Sequence, residues 1–332
     1  VPITIKDIAK AAGVSHTTVS RALKGHAAIS PQTTARIQAL AEEMGYTPSA
    51  VAQSLLSQRT QTIGMIITTT ADPFPVNIVG GVEEVAQAAG YSVFLSSSHN
   101  NPRQEMAVVE TFHRRRVDAI IVSSSRLGSV YRSELDQIQI PIVLVNNQEE
   151  GEYLHSVAVD DVQGARLAVE HLLQLGHRRI GYVGAVNRPK SNRRRIVGYQ
   201  AALEAAGIPI DPSLVVAPVE ETDVDQGKKG VDYLLDANAT AIFCYNDLTA
   251  IGALMECRRR NIAVPQQLSV MGFDDIEIAT YVTPPLTTIH QPRSRLGKLA
   301  MQMVLDLLDG KSVQDKVLNC NLVTRQSTAD LA

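Results

Sequence analysis

Two rhythms of hydrophobic positions run along the chain, and the change comes near residue 60. Before it, apolar residues recur at helical spacing. Ile5, Ile8 and Ala9 share one face, Gly13 interrupts, and Ser15 stands where an N-cap would open a second helix carrying Val19 and Leu23. Ser30-Pro31 reads as an N-cap followed by proline at the first helical position, and Ile37, Leu40, Ala41 and Met44 stripe a third helix that Gly45 stops. From residue 62 short apolar runs at 63–67, 91–95, 117–122 and 142–145 alternate with helical stretches near 76–89 and 103–116. The beat continues as helix 162–175, strand 180–183, helix 192–206, strand 214–216, helix 225–236, strand 241–245, helix 247–260 and strand 268–272. Continuous apolar strands separated by helices predict a parallel sheet covered on both faces. There are too many strands for one simple sheet. Two doubly wound α/β lobes fit better, with a ligand crevice beyond the strand C-terminal ends.

Composition sharpens the division. The 332 residues suit two or three domains, and 45% hydrophobic with 20% charged residues is ordinary for a soluble globular chain. The net charge of −3 is unevenly spread: residues 1–59 hold six basic and three acidic side chains, net +3, which leaves −6 for the rest. A basic N-terminal module on an acidic body points to nucleic acid at that end. Cys244, Cys257 and Cys320 have no CxxC spacing, which speaks against a disulfide framework or a zinc site and fits a reducing cytosol. With no long apolar run for a membrane span or a secretory leader, the expected location is cytoplasmic. Enzyme signatures are missing: no GxSxG, HExxH or GxxxxGK[ST] occurs. Asp160-Asp161 and Asp274-Asp275 are the nearest approach to a carboxylate pair, but neighbours at a strand end point different ways. No catalytic residue, metal or cofactor is expected.

The first two helices follow helix-turn-helix logic. Small Ala9 lets them cross closely, Gly13 permits the turn, and Val14 and Val19 plug the junction. The second helix then presents His16, Thr17 and Arg21 outward, where base edges in a major groove would be reached, with Ser15, Thr18 and Ser20 as hydroxyl donors for phosphate. A generic small helical domain with a polar surface would show much of this pattern too. The run from Ile8 to Leu23, IAKAAGVSHTTVSRAL, resembles the N-terminal motif of the lactose/galactose repressor (LacI/GalR) family. So do Gly45-Tyr46-Thr47-Pro48, Val51-Ala52-Gln53-Ser54-Leu55 and Thr62-Ile63-Gly64. Asp160, Gly164, His171, Gly176-His177, Arg195 with Gly198-Tyr199, Asn246-Asp247, Gly272 to Asp275 and Pro285 to Ile289 continue the resemblance through the body in the family's order. It implies a regulator that binds operator DNA, with His16, Thr17 and Arg21 reading bases. It further implies a hinge helix at 49–56 whose Leu55, with Ala52, enters the minor groove as an apolar wedge. The family often has Asn after the proline; here Ser49 stands in its place.

The resemblance also implies a periplasmic-binding-protein-like body. The expected organisation is residues 1–47 for the helix-turn-helix, 48–61 for hinge and linker, and 62–332 for effector binding and dimerisation. A near lobe of about 62–160 and 291–320 and a far lobe of about 161–290 and 321–332 are expected. Asp274 and Asn246 each follow a strand, and Arg195 lies near the start of helix 192–206. A carboxylate, an amide and a guanidinium can grip vicinal hydroxyls; equally, Asn246 and Asp274 sit where helix N-caps would be. The family spacing favours the ligand role, with Asp275 or Asp247 left to cap. Ser191 is taken with them. In the near lobe Phe74 offers a ring to stack on, Ser96 ends the second strand with Ser97 and Ser98 beside it, and Asn147 follows the fourth strand; surface loop is the alternative for each. Similarity to ribose-repressor sequences around Ser49 to Leu55 and Asp274 to Pro292 makes ribose, a related pentose or a nucleoside the favoured effector, with a hexose or a purine as the alternative. The last apolar helix pattern, Leu296 to Leu308, is followed by no heptad repeat, so a homodimer without a tetramer-forming coiled coil is expected. A transporter's solute receptor would share the body but not the first 60 residues.

Overall fold

In the computed structural model the chain divides into two compact units, Val1–Thr60 and Gln61–Ala332. The residues described are 3–46, 59–126, 132–135, 137–148 and 155–331.

The first unit contains α1 (Ile5–Ala12), α2 (His16–Leu23) and α3 (Pro31–Glu43). Each start has a local cause. Thr4 and Asp7 form a reciprocal capping box on α1, Ser15 accepts from the Thr18 amide at α2, and Ser30 accepts from Thr33 ahead of Pro31 at α3. Gly13 ends α1 at φ 67°, a left-handed turn that costs glycine nothing. Ile8, Ala9, Val19, Ala22, Ile37 and Ala41 form the buried core, and Arg36 donates to the Ala12 carbonyl at 2.9 Å, tying α3 to the end of α1.

The second unit opens with β1 (Thr62–Ile67), α4 (Val76–Ala88), β2 (Ser92–Ser97), α5 (Pro102–Arg114) and β3 (Ala119–Ser123). A short helix, α6 (Arg132–Leu135), precedes β4 (Ile142–Val145) and β5 (His155–Val159). Then come α7 (Asp161–Gln174), β6 (Ile180–Val183), α8 (Pro189–Ala205), β7 (Val215–Val216), α9 (Asp223–Asp236), β8 (Ala241–Cys244), α10 (Asp247–Arg259) and β9 (Ser269–Met271). The chain ends with β10 (Thr288–His290), α11 (Arg293–Leu308), β11 (Lys316–Leu318) and β12 (Asn321–Val323). One parallel sheet has the order β11-β5-β4-β3-β1-β2, and a second has β7-β6-β8-β9. Their strands are buried on both faces, apart from the edges, which is why they read as unbroken apolar runs. In each sheet the order reverses once, between β1 and β3 and between β6 and β8. Such switch points open crevices at the strand C-terminal ends.

Boundaries differ from the sequence pattern where a local signal outranks hydrophobicity. Helix α8 starts at Pro189 rather than 192, because proline is favoured in a first turn. Residues Pro212–Leu214 form a 3₁₀ turn capped by Asp211, so the strand expected at 214–216 shrinks to two residues. Strands β5, β10, β11 and β12 had no separate signal. Close helix packing is fixed by small residues: a Cβ on Gly81 would strike the Ser294 carbonyl, and one on Gly297 the Ile78 carbonyl, so α4 and α11 meet backbone to backbone.

Candidate functional site

The ends of the strands flanking both switch points converge on one cavity. Asp72 and Phe74 follow β1, and Ser124 follows β3; Arg188, Ser191 and Arg195 follow β6, and Tyr245 and Asn246 follow β8. Asn146 and Gln148 after β4, Asp161 after β5, Asp274 after β9 and Gln291 after β10 complete the lining. The free volume at its centre is small, about 30 Å³. Polar side chains fill the rest and bond across it. Gln148 accepts from the Ser191 hydroxyl at 2.9 Å, and that hydroxyl shares a 2.7 Å hydrogen bond with the Tyr245 phenol.

Arg195 is the centre of the electrostatics. Its Nε donates to Asp161 Oδ1 at 2.9 Å and its Nη1 to the Tyr245 carbonyl. Its guanidinium carbon lies 4.3 Å from the Tyr245 ring centroid and 3.7 Å from that of Phe273. The flat cation is thus stacked on both sides, an arrangement Lys could not copy. Burial works against the Arg195 charge, but Asp161 and the neighbouring acidic groups outweigh it and keep it protonated. Burial raises the Asp161 carboxyl, and Arg195 opposes that shift. At Asp274 burial again dominates and pushes the carboxyl well up, with Arg195 opposing and Asp247 adding to the rise. Asp274 Oδ1 accepts from the Gln291 amide at 2.6 Å, and its backbone sits at φ 130°, a conformation rare for a side-chain-bearing residue.

Of the residues singled out in the sequence, Arg195, Asp274, Asn246, Phe74 and Ser191 meet here. Asn246 both lines the cavity and caps α10: its Oδ1 accepts from the Thr249 amide at 2.8 Å, and its Nδ2 donates to Asp223 Oδ2 at 2.6 Å. Neither Asp247 nor Asp275 takes over that cap, contrary to expectation. Asp247 is the first residue of the helix and accepts from the Ile276 amide, and Asp275 pairs with His290 and Arg325. Asp274 caps no helix, since the next turn begins after Ile276.

Two expectations are corrected. Ser96 lies within β2, which runs on to Ser97, and it is no part of the cavity wall. Asn147 faces an adjoining pocket, where its Oδ1 accepts from Lys190 Nζ at 3.1 Å. The cause is Asn146, whose left-handed backbone at φ 50° breaks the strand alternation and turns Asn146 and Gln148 inward instead. Asp72, Ser124, Asn146, Gln148, Asp161, Arg188, Tyr245 and Gln291 were not singled out as ligand candidates. All but Arg188 stand within a few residues of a strand end, a signal that position along the fold carries and residue type does not.

In the first unit His16, Thr17 and Arg21 are exposed on α2, with Val19 and Ala22 buried behind them. Ser20 is half-buried. Ser15 and Thr18 hydroxyls bond to each other at 2.9 Å, so both are engaged in the cap instead of standing as isolated phosphate donors. Ala52 and Leu55 lie outside the described residues. Among the described residues no cluster of side chains could hold a metal ion, and no helix is long and apolar enough to cross a membrane.

The description "Bacterial regulatory proteins, lacI family" matches residues 4–49, and "Periplasmic binding protein-like domain" matches residues 169–328. The HTH-type transcriptional repressor PurR of Aliivibrio salmonicida is 31% identical over 99% of both chains. The chain belongs to the lacI family of bacterial regulatory proteins. A crystal structure of the lac repressor dimer bound to operator and the anti-inducer ONPF superposes with a TM-score of 0.89 at 27% identity, covering 99% of this chain and 100% of that one. A LacI family regulator of Enterococcus faecium with bound ribose gives a TM-score of 0.72 at 28% identity, covering 82% and 100%. This lacI-family chain is accordingly a DNA-binding transcriptional regulator with a ligand-binding body, and its relatives are regulators rather than enzymes.

Proposed function

We propose that the protein is a ligand-responsive repressor that binds a pseudo-palindromic operator as a cytoplasmic homodimer and takes a small polar effector, a pentose or nucleoside, in the cleft between its two sheets. The observation that supports this most is the convergence of Arg195, Asp274, Asn246, Ser191 and Phe74 at the switch points of both sheets. Bidentate acceptors and donors around one half-buried ring suit vicinal hydroxyls. The relative with bound ribose carries the same body. His16, Thr17 and Arg21 are the base readers, and Leu55 and Ala52 the minor-groove contacts. One eight-residue helix offers few base-edge contacts, so two copies are needed for tight specificity. Edge strand β2 carries Phe94 and Leu95 exposed side by side at 51% and 46%, apolar surface that a second copy would cover.

The test is fluorescence anisotropy on an operator recovered by selection from random DNA, with and without pentoses and nucleosides. Steep loss of affinity with salt, a two-fold symmetric site and a change on adding effector are expected. Sedimentation showing a monomer that still binds the operator tightly would contradict the dimer. Absence of any ligand effect would contradict the responsive cleft.

A further inference from the structure

The cleft has a second chamber beside the first. Its free volume is about 320 Å³, against about 30 Å³ in the centre, and Asp72 and Arg188 line both. Those two groups face each other at 3.7 Å, a loose pair, and Arg188 also reaches Asn100 Oδ1 at 3.3 Å. They form a partition rather than a wall. The outer chamber has its own chemistry. Ala71, Val224 and Leu248 supply apolar surface from both lobes. Asn187 also lines it, and its side-chain oxygen is buried with no hydrogen-bond partner, while Arg126 Nη1 holds the Asn187 backbone carbonyl at 3.0 Å. A buried acceptor without a donor is costly unless something supplies one. The charge is also informative. The centre sets three carboxyl groups, Asp72, Asp161 and Asp274, against Arg188 and Arg195, and Asp223 adds a fourth acid in the outer chamber. A phosphate would be repelled there, and a neutral molecule rich in donors would not.

We propose that the effector is a nucleoside whose sugar lies in the central chamber and whose base lies in the outer one, a ring N–H or amino group donating to Asn187 Oδ1. This rests on the reading of the cleft as the effector site and narrows it. A free pentose would leave the outer chamber and Asn187 unused. A sugar phosphate would bring charge to an acidic site. The flat base meets apolar residues on its faces and acceptors at its edge, the mixture the chamber provides.

Isothermal titration of the full-length protein with adenosine, cytidine, D-ribose, ribose 5-phosphate and cellobiose decides it. At least one nucleoside should bind about tenfold or more tighter than ribose or ribose 5-phosphate. Val224→Trp, which fills the outer chamber, should bring the nucleoside-to-ribose affinity ratio close to one. Asn187→Ala should lower the same ratio several-fold and serves if the tryptophan variant does not fold. Ribose binding as tightly as either nucleoside, and lost in Asp274→Ala, would overturn the two-part ligand while leaving the cleft as the effector site. Tightest binding of ribose 5-phosphate or of cellobiose would overturn it as well. If none of the five binds, the nucleoside and the pentose assignment both fall.

Discussion

The two sites of this protein are built in opposite ways. The DNA-reading surface is a stretch of consecutive residues on α2, and His16, Thr17 and Arg21 stand exposed in front of a buried Val19 and Ala22. The effector cleft gathers side chains from Asp72 to Gln291, nearly all at strand ends, and most are bonded to one another. The first surface keeps its contacts for a partner. The second has spent many of its donors and acceptors internally, so the same groups hold the lobes and meet the ligand. Replacing a residue should therefore separate binding from stability on α2 and entangle them in the cleft.

The largest effect should come from Arg195. Arg195→Met removes the cation facing buried Asp161 and leaves that carboxylate uncompensated. Breaking a buried pair on one side costs about 3–5 kcal/mol, and urea unfolding should show a loss of that size. An unchanged urea midpoint would mean that the stacked guanidinium contributes nothing to the fold. Arg21→Ala is the contrasting change. It should weaken binding to the selected operator by about 1–3 kcal/mol, with little effect on binding to random DNA or on thermal stability. Equal loss on both DNAs would make Arg21 a phosphate contact.

Asp275 gives a smaller, pH-dependent effect. Its hydrogen bonds with His290 at 2.8 Å and with Arg325 at 2.6 Å hold the carboxyl down at about 2, against an ordinary 3.8. A depressed carboxyl contributes stability that is fully present above the unfolded value and is lost as pH falls toward the folded one. Asp275→Asn should cost about 1–2 kcal/mol at neutral pH, after allowance for its partial exposure, and the difference from the parent should shrink between pH 4 and 2. Asp274 and Asp161 work in the opposite sense, since burial raises both. A difference that stayed constant down to pH 2 would remove the ion pairs as its source.

How far the sequence could be read follows the same contrast. Helices α1 to α3 carry their own caps at Thr4, Ser15 and Ser30, local signals that need no knowledge of the rest of the chain. The alternation of strands and helices in the body was legible for the same reason, as buried parallel strands leave continuous apolar runs. Family spacing brought out Arg195, Asp274 and Asn246. Gln148, Tyr245 and Gln291 stayed hidden because each enters the cavity only through the path of its strand and turn. Asn147 shows the limit most clearly: a left-handed residue at Asn146 reverses which side chains face in, and nothing in the residue types announces it. Asp161 was hidden for another reason, since a first-turn acid is an ordinary helix feature until Arg195 is seen beside it.

The central claim is that the cleft controls the DNA-reading unit. The most direct measurement is operator affinity of the parent and of Asp274→Ala, with and without a saturating nucleoside, and with folding of the variant checked by its unfolding curve. In the parent, effector should shift operator affinity by about tenfold or more, a coupling in the usual range for linked sites. In Asp274→Ala the shift should disappear. An equal shift in both proteins, or no shift in the parent at full occupancy, would contradict the account.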